Sequence, residues 1–509
     1  MNELQKRLLL LLEELDEICK KHNITYYIDG GSAIGAIRHH GFIPWDDDID
    51  IVMTRKNFEK FESIIDKEIS KDRKYESIER NPKYTMVYAR YCDRTTTNIL
   101  RTSLLDVFES GVFIDIFVLD PIPSDKKIQE KYLKKFRAYA EYINPYYYDA
   151  VVSGNNFEML KMRLFGKILG KKRLHKYIKK KLFSYEEEKC DYYCFRFDLF
   201  PFIYPKEYFQ KPRYMQFEEL ISPVPTMIEE YLQVHYGDTW MIIPKHDEQE
   251  THNVVINLNV PYQTFKNCYI NQIKKDAYQQ YEKFHQLRVN KHNATLNSNK
   301  GIYKLNAINY ELKFKKELQE YNISKLFSQK KYSKLYEIFQ EYYDVQLNKN
   351  YLKNNVVINI ENSYYALKLL INLGYYYKTK KVLNILDDKY DDLKNEVELI
   401  TKLNNYYYKK DLKNYFELVS KYYEQYGDVI DFIRGMAKKL ISEHKYYEAN
   451  KLIDKSLEIY INDDFLLKYK ADILFEEKKE EAINLYNQIL EMTNNGILIL
   501  EIKDILGGN

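Results

Sequence analysis

The residues of this chain that could do chemistry are concentrated in two acidic segments near the N-terminus. Asp48 and Asp50 alternate with isoleucines in a run typical of a β-strand, so both carboxylates are expected on one strand face. Asp115 is the single charge in the apolar run Val112–Leu119, which is typical of a buried central strand. A buried carboxylate is costly unless it is paired or bound to metal, and Mg²⁺ prefers oxygen ligands. The three aspartates therefore predict a metal site for Mg²⁺ or Mn²⁺.

A candidate phosphate-binding turn precedes the acidic residues. Gly30, Gly31 and Ser32 follow the apolar run Tyr26–Ile28. Glycines there let backbone N–H groups approach an anion, and a following helix start would add its dipole. Arg38 stands between this turn and the acidic run, and a guanidinium matches phosphate oxygens in a bidentate fork. The alternatives are an ordinary turn and, for Arg38, a surface ion pair.

Arg90 is a second candidate for binding phosphate. It lies in the predicted strand Tyr84–Tyr91, which comes before the strand that carries Asp115. The same two interpretations apply to it, a phosphate ligand or a surface ion pair, and the sequence leaves both open.

Hydrophobic periodicity predicts the elements that must position these side chains. Glu3–Lys21 has apolar residues at helical spacing, so it predicts an amphipathic helix that covers one face of a sheet. Strands are predicted over Tyr26–Ile28, Asp48–Met53, Tyr84–Tyr91 and Val112–Leu119, with a helix over Arg55–Ile69. Mixed strands and helices in this order indicate an α/β (α+β) catalytic domain.

The pattern changes beyond about Ala307, where proline vanishes and helix-period apolar residues run to the end. An internal repeat of roughly 30–34 residues, with small residues such as Ala437 and Ala471 one repeat apart, resembles tetratricopeptide repeats. The alternative is a generic helical bundle. The predicted organisation is a catalytic domain over 1–265, a linker over 266–306 and an all-α helical-repeat domain over 307–509.

Composition limits the class of protein. A chain of 509 residues is too long for one ordinary core, and 45% hydrophobic with 30% charged residues fits a soluble protein. A net charge of +3 without a concentrated basic stripe does not indicate a nucleic-acid partner. The leucine run Leu8–Leu12 leads directly into acidic residues, so neither a signal peptide nor a transmembrane helix is predicted. The expected location is cytoplasmic, peripheral at most to the inner membrane face.

The ordered set of motifs resembles the LicD family of phosphotransferases, which is related to fukutin and has the nucleotidyltransferase fold. The run Gly31–Asp50 looks like the signature of that family, and Ile114–Phe117 followed by Asp120 resembles its second acidic strand. Tyr236-Gly237-Asp238, followed by Pro244, resembles its C-terminal motif. Ser32 and Val118 stand where the family often has threonine and proline.

The resemblance implies a function. A CDP-linked donor, CDP-choline or a related CDP-alcohol, would give a phosphocholine-like group to a glycan hydroxyl in lipopolysaccharide or another surface glycan. Asp48 and Asp50 would hold Mg²⁺ against the donor pyrophosphate. Asp115 would complete the metal site and accept the hydroxyl proton. Attack on the phosphorus distal to the nucleoside would release a nucleoside monophosphate.

Two alternatives to this function stay open. One is nucleotidyl transfer, in which the same metal site leaves the nucleotide on the acceptor. The other is a scaffold in which the repeats recruit partners and the first domain is inactive. In either case the helical repeats are expected to bind a protein partner or a second copy of the chain.

Overall fold

The structure is a computed structural model, and its chain divides into two compact units. The first unit runs Met1–Gly237 and resumes at Glu250, and the second contains Asp238–Gln249 together with the C-terminal helices. The residues described are 1–81, 84, 86–100, 109–143, 156–182, 185–195, 202–245, 248–249, 251, 253–270, 303–316, 318–347, 351, 356–358, 360–386 and 390–507. The predicted linker over 266–306 falls largely outside them, and the predicted domain boundaries stay predictions.

The first unit is built on a seven-stranded mixed sheet. Its strands are β1 (Tyr27–Ile28), β2 (Ile49–Thr54), β3 (Arg73–Glu76), β4 (Ala89–Asp93), β6 (Val112–Ile122), β7 (Tyr192–Phe195) and β8 (Phe202–Pro205). They pair in the order β1-β2-β6-β4-β3, and β6 also pairs with β7, which pairs with β8. Strands β2 and β6 are parallel and the other pairs are antiparallel. All residues of β6 are buried, so the predicted central strand is confirmed.

Helices and two small sheets complete this unit. The helices are α1 (Glu3–Lys21), α2 (Gly30–His39), α3 (Arg55–Glu68), α4 (Lys126–Ile143), α5 (Asn156–Leu182), α6 (Ile228–Tyr236) and α7 (Tyr262–Phe265). Two-stranded sheets are formed by β9 (Arg213–Phe217) with β10 (Leu220–Val224) and by β5 (Thr97–Leu100) with β11 (Asn253–Asn257). Helix α1 has the predicted bounds because an Asn2–Gln5 capping box starts it and the leucines at helical spacing, Leu4, Leu8, Leu11, Leu12 and Leu15, are buried. The predicted α/β class is confirmed.

The C-terminal part of the second unit is all helical, as predicted. Its described helices are 303–316, Ile323–Ser328, Tyr332–Gln346, Ser363–Leu373, Tyr376–Leu383, Asp391–Tyr408, Leu412–Tyr426, Ile430–Ser442, Tyr446–Leu457, Asp464–Leu474, Lys479–Met492 and Gly496–Gly507. Small residues lie where helices pack against one another. A Cβ on Gly435 would stand 2.5 Å from the Val419 side chain, which lies on the preceding helix. Ala437 and Ala471 are fully buried. A helical-repeat region is confirmed, and the tetratricopeptide class stays a prediction. None of the helices that the structure describes is both long and apolar enough to cross a membrane.

The segment Asp238–Gln249 packs within this helical unit, although the sequence places it in the predicted catalytic domain. Ile242 joins the core of the helices, and Trp240 and Met241 are buried beside it. The single O–H of Tyr377 is shared between the Ile242 carbonyl at 2.7 Å and the Thr239 carbonyl at 3.0 Å. Burial and hydrogen bonds together therefore fix this segment.

We expect Tyr377→Phe to lower the free energy of unfolding of the helical unit by about 1–2 kcal/mol. The change keeps the ring but leaves two main-chain carbonyls without the hydroxyl that they share. Denaturant unfolding followed by circular dichroism measures the effect. Tyr447→Phe is the matched control, because Tyr447 is 77% exposed. Equal midpoints for the two variants would show that the Tyr377 bond does not hold the segment.

Candidate active site

Three of the predicted site residues lie in one row across the sheet. Asp50 on β2 is the register partner of Asp115 on β6, and Asp115 is the register partner of Arg90 on β4. Register partners on neighbouring strands project from the same face of a sheet, with strands about 4.8 Å apart. The predicted proximity of Asp50 and Asp115 therefore follows from the strand pairing.

Arg90 engages Asp115 directly. Its Nε and Nη2 donate to the two carboxylate oxygens at 2.7 and 3.1 Å, and the guanidinium carbon lies 3.5 Å from the centre of the Phe113 ring. Arg90 is fully buried, so this is a buried ion pair and not a surface one. Burial, the largest single effect, lowers the pKa of Arg90, but the charge of Asp115, the Tyr84 phenol and the hydrogen bonds to Asp115 together raise it well above its ordinary value, so the guanidinium stays charged. The strand that carries Arg90 begins at Ala89, later than the sequence predicts.

The predicted glycine turn is the first turn of helix α2. Gly30 has φ of +55°, and a Cβ on it would stand 3.0 Å from Asp50 Oδ2, so neither the backbone nor the space suits another residue. The Asp50 amide donates to Ser32 Oγ at 3.2 Å, and the Asp50 carbonyl accepts from the Asp29 amide at 2.9 Å. The N-terminus of α2 is thus fixed beside the Asp50 carboxylate. First-turn amides have no partner within a helix, so they are available to an anion.

A further acidic residue, Asp46, lies beside Gly31 in the first turn of α2. A Cβ on Gly31 would stand 3.0 Å from Asp46 Oδ2. Carboxylate oxygens of Asp46, Asp47 and Asp48 lie within 4.8 Å of one another. Strand β2 begins at Ile49, so Asp48 lies one residue before the strand, and the prediction that places Asp48 within it is wrong.

Asp29 is a site residue that the sequence did not identify. It is 1% exposed, its Oδ1 accepts from the Tyr231 hydroxyl on α6, and its Oδ2 has no hydrogen-bond partner among the described residues. Burial raises the pKa of Asp29 to about 7, although the Tyr231 bond acts in the opposite direction. Its place directly before the glycine turn is the one signal in the sequence that could have indicated it.

Like charges meet around Asp50. Burial raises the pKa of Asp50 well above its ordinary value, and the charges of Asp48 and then Asp115 raise it further. The ionised carboxylates therefore oppose one another, and a cation would relieve that repulsion. The close carboxylate oxygens of Asp46, Asp47 and Asp48, a group that contains Asp48 but neither Asp50 nor Asp115, and a buried carboxylate oxygen at Asp29 fit a hard divalent ion. The residues present thus suit the predicted metal, and their individual roles stay predictions.

Arg38 lies at the other end of α2. Eight residues separate it from Gly30, which corresponds to about 12 Å of helix rise. It is 5% exposed, and its Nε contacts the His39 imidazole at 2.9 Å. Burial and then the Arg38 charge lower the pKa of His39 well below its ordinary value, so this imidazole is neutral. Whether Arg38 contacts a donor phosphate stays a prediction.

Comparisons with known proteins identify similar sequences for the part of the chain that contains this site. A sequence profile described as LicD/FKTN/FKRP, nucleotidyltransferase domain, matches residues 23–148, which include α2, Asp50 and Asp115. The chain is 29% identical over 267 residues to the lipopolysaccharide cholinephosphotransferase LicD of Haemophilus influenzae strain Rd, covering 50% of this chain and 96% of that protein. It is 32% identical over 119 residues to an uncharacterized protein of Rickettsia prowazekii, covering 22% of this chain and 39% of that protein.

Proposed function

We propose, because the LicD/FKTN/FKRP nucleotidyltransferase profile matches residues 23–148, that the chain transfers a phospho-substituted group from a CDP-linked donor to a glycan hydroxyl. The observation that supports this most is the N-terminus of α2 lying against Asp50, since it sets anion-binding amides beside clustered carboxylates. The group transferred is phosphocholine by analogy with the Haemophilus relative, whose name places it in lipopolysaccharide modification.

The first turn of α2 binds the phosphates of the donor in this proposal. The amides of Gly31 and Ser32 face phosphate oxygens of the donor, and the helix dipole adds to their attraction. Gly30 lets the backbone pass close to Asp50, where any side chain would intrude. These groups orient the pyrophosphate so that its distal phosphorus faces the acceptor hydroxyl, and positioning is much of what a phosphoryl-transfer site supplies.

Asp48 and Asp50 are the residues that we propose hold Mg²⁺ or Mn²⁺. When bound there, the ion would supply neutralisation of the negative charge on the donor pyrophosphate. Asp115 completes the carboxylate set, and Arg90 fixes its orientation through two hydrogen bonds.

Asp115 is also the residue that we propose takes the proton from the acceptor hydroxyl. Its carboxylate lies in register with Asp50, beside the proposed place of the donor phosphates. The hydroxyl oxygen bonds to the distal phosphorus, the bond from that phosphorus to the bridging oxygen breaks, and a nucleoside monophosphate leaves.

Product analysis tests the reaction. The protein is incubated with Mg²⁺, CDP-choline and an acceptor glycan, and released nucleotides are separated by chromatography. Release of CMP with phosphocholine on the glycan is expected. A cytidine monophosphate group on the glycan, with phosphocholine as the released product, would instead support nucleotidyl transfer. Absence of turnover with every CDP-linked donor tested would favour the scaffold with an inactive first domain.

A thermal shift tests the metal without relying on turnover. We expect saturating Mg²⁺ to raise the melting temperature of the first unit, because an ion that binds only the folded state adds ~2.7 kcal/mol at a hundredfold excess over its dissociation constant. Asp50→Asn should remove most of this shift. Equal shifts in the wild type and this variant would exclude Asp50 as a metal ligand.

A further inference from the structure

Three aromatic rings stack in a row beside the candidate active site. The Phe202 ring at the start of β8 lies 4.4 Å from the His235 imidazole at an angle of 25° between planes. The His235 imidazole in turn lies 4.6 Å from the Tyr236 ring at 30°. Tyr236, the last residue of α6, therefore forms one end of the stack, and 41% of its surface is exposed.

The Tyr236 ring borders the place where donor phosphates are proposed to bind. Its hydroxyl lies 3.4 Å from the position that a Cβ on Gly30 would occupy, and Asp50 Oδ2 lies 3.0 Å from the same position. The hydroxyl thus reaches the N-terminus of α2, and Tyr236 as a whole is partly exposed. A group attached to the distal phosphate of a donor would leave the first turn of α2 close to this ring.

The surroundings of the Tyr236 ring favour a cation. The Tyr236 hydroxyl and Asp50 Oδ2 lie 3.4 and 3.0 Å from the position that a Cβ on Gly30 would occupy, so a carboxylate lies beside the phenol. The stacked His235 adds no opposing positive charge, because burial lowers the pKa of its imidazole to about 4. The Tyr204 hydroxyl, 2.8 Å from His235 Nδ1, holds that neutral ring in place.

The kind of cation follows from the chemistry of the surface. A primary ammonium has N–H groups that call for oxygen acceptors, which the carboxylates offer. A quaternary ammonium has no N–H group and is weakly hydrated, so it gains most from the electron-rich face of an aromatic ring. The exposed Tyr236 ring, backed by two more rings, suits the second kind.

We propose that the Tyr236 ring contacts the donor headgroup, and that Tyr236 determines the preference for the quaternary ammonium of the proposed phosphocholine donor over a primary ammonium. The inference rests on the proposed function, because the headgroup reaches the ring only if the pyrophosphate lies at the start of α2. It assigns Tyr236 a role in selecting the transferred group and not in the bond-making step.

Donor preference tests the subsite. For the wild type and for Tyr236→Leu and Tyr236→Phe, kcat/KM is measured in the full chain with CDP-choline and CDP-ethanolamine. The wild type should prefer CDP-choline, and Tyr236→Leu should lose about tenfold of that preference. Tyr236→Phe keeps the ring and should keep the preference, whatever the loss of the hydroxyl does to the rate. Tyr236→Met is the second ring-free variant, in case the leucine variant does not fold.

The outcomes separate the two proposals. A wild type that turns over no CDP-alcohol overturns the proposed function, and the subsite with it. A wild type that turns over CDP-choline but prefers CDP-ethanolamine overturns the quaternary ammonium alone. A preference for CDP-choline that persists in a folded ring-free variant overturns the role of Tyr236 and leaves the phosphotransfer standing. Loss in the ring-free variants with retention in Tyr236→Phe supports the inference.

Discussion

Asp50→Asn should reduce turnover of a CDP-linked donor by about a thousandfold or more while the first unit stays folded. The Asp50 side chain lies beside Gly30 at the start of α2, and Asp50 is in register with Asp115 on the neighbouring strand. An amide of the same size removes the negative charge and the affinity for a hard cation. Asp48→Asn is expected to act in the same direction.

The fold should survive because the hydrogen bonds of Asp50 to the start of α2 are made by its main chain. The sign of the stability change can be worked out from the pKa. The pKa of Asp50 is raised in the folded state, so ionisation of its carboxylate opposes folding once the pH exceeds the unfolded value near 4. Asparagine removes this cost, and the metal-free variant should therefore melt at or above the wild-type temperature at neutral pH.

Nucleotide release at saturating donor and Mg²⁺ measures the rate, and Asp72→Asn is the matched control because Asp72 is exposed on the same unit. Turnover of Asp50→Asn within tenfold of the wild type would exclude the proposed role. A large loss accompanied by a lowered melting temperature would instead indicate damage to the fold.

The sequence predicted the elements whose signal is local. Helix α1 and strand β6 have the expected positions because apolar periodicity alone determines which face or run is buried. The parallel pairing that sets Asp50 beside Asp115 brings together two strands, each with a strong apolar pattern. The C-terminal helices follow from the same kind of pattern.

Contacts between distant segments were not predicted. The Asp29 side chain is buried because Tyr231, which is 202 residues further along, reaches it from α6. The Arg90–Asp115 pair depends on the register of β4, whose start differs from the predicted one. The pattern of apolar residues along the sequence does not indicate which side chains from distant segments will be in contact. Arg90 was therefore equally consistent with a phosphate ligand and with an ion pair.

The assignment of Asp238–Gln249 to a domain also depends on contacts between distant segments, which the sequence does not reveal. Its apolar residues Trp240, Met241 and Ile242 would suit the core of either unit, and only the tertiary structure shows that they pack with the helices. A fragment ending before the helices would expose them, so truncation is a poor test of what the helical unit binds. Its predicted binding to a protein partner or to a second copy stays a prediction, better tested by the oligomeric state of the full chain.

Arg90→Met should lower the free energy of unfolding of the first unit by about 3–5 kcal/mol. The substitution keeps an unbranched apolar chain in a fully buried position, but it removes both hydrogen bonds to Asp115. Asp115 is 7% exposed, so its charge would remain in the interior without its guanidinium partner. Urea unfolding followed by fluorescence measures the change. Arg213→Met is the control, since its ion pair with Glu229 is exposed and should contribute under about 1 kcal/mol.

A double substitution distinguishes loss of the interactions of Arg90 from the cost of leaving the Asp115 charge buried without its guanidinium partner. If the cost of Arg90→Met comes from an unpaired buried carboxylate, Arg90→Met combined with Asp115→Leu should recover much of it, because both charges are then gone. Mg²⁺ gives an independent measure, since an ion bound by Asp115 should stabilise Arg90→Met more than it stabilises the wild type.

Equal unfolding midpoints for Arg90→Met and Arg213→Met would mean that the buried pair contributes no more than a surface one. Costs that simply add in the double variant would place the loss in packing around Phe113 and not in the charge of Asp115.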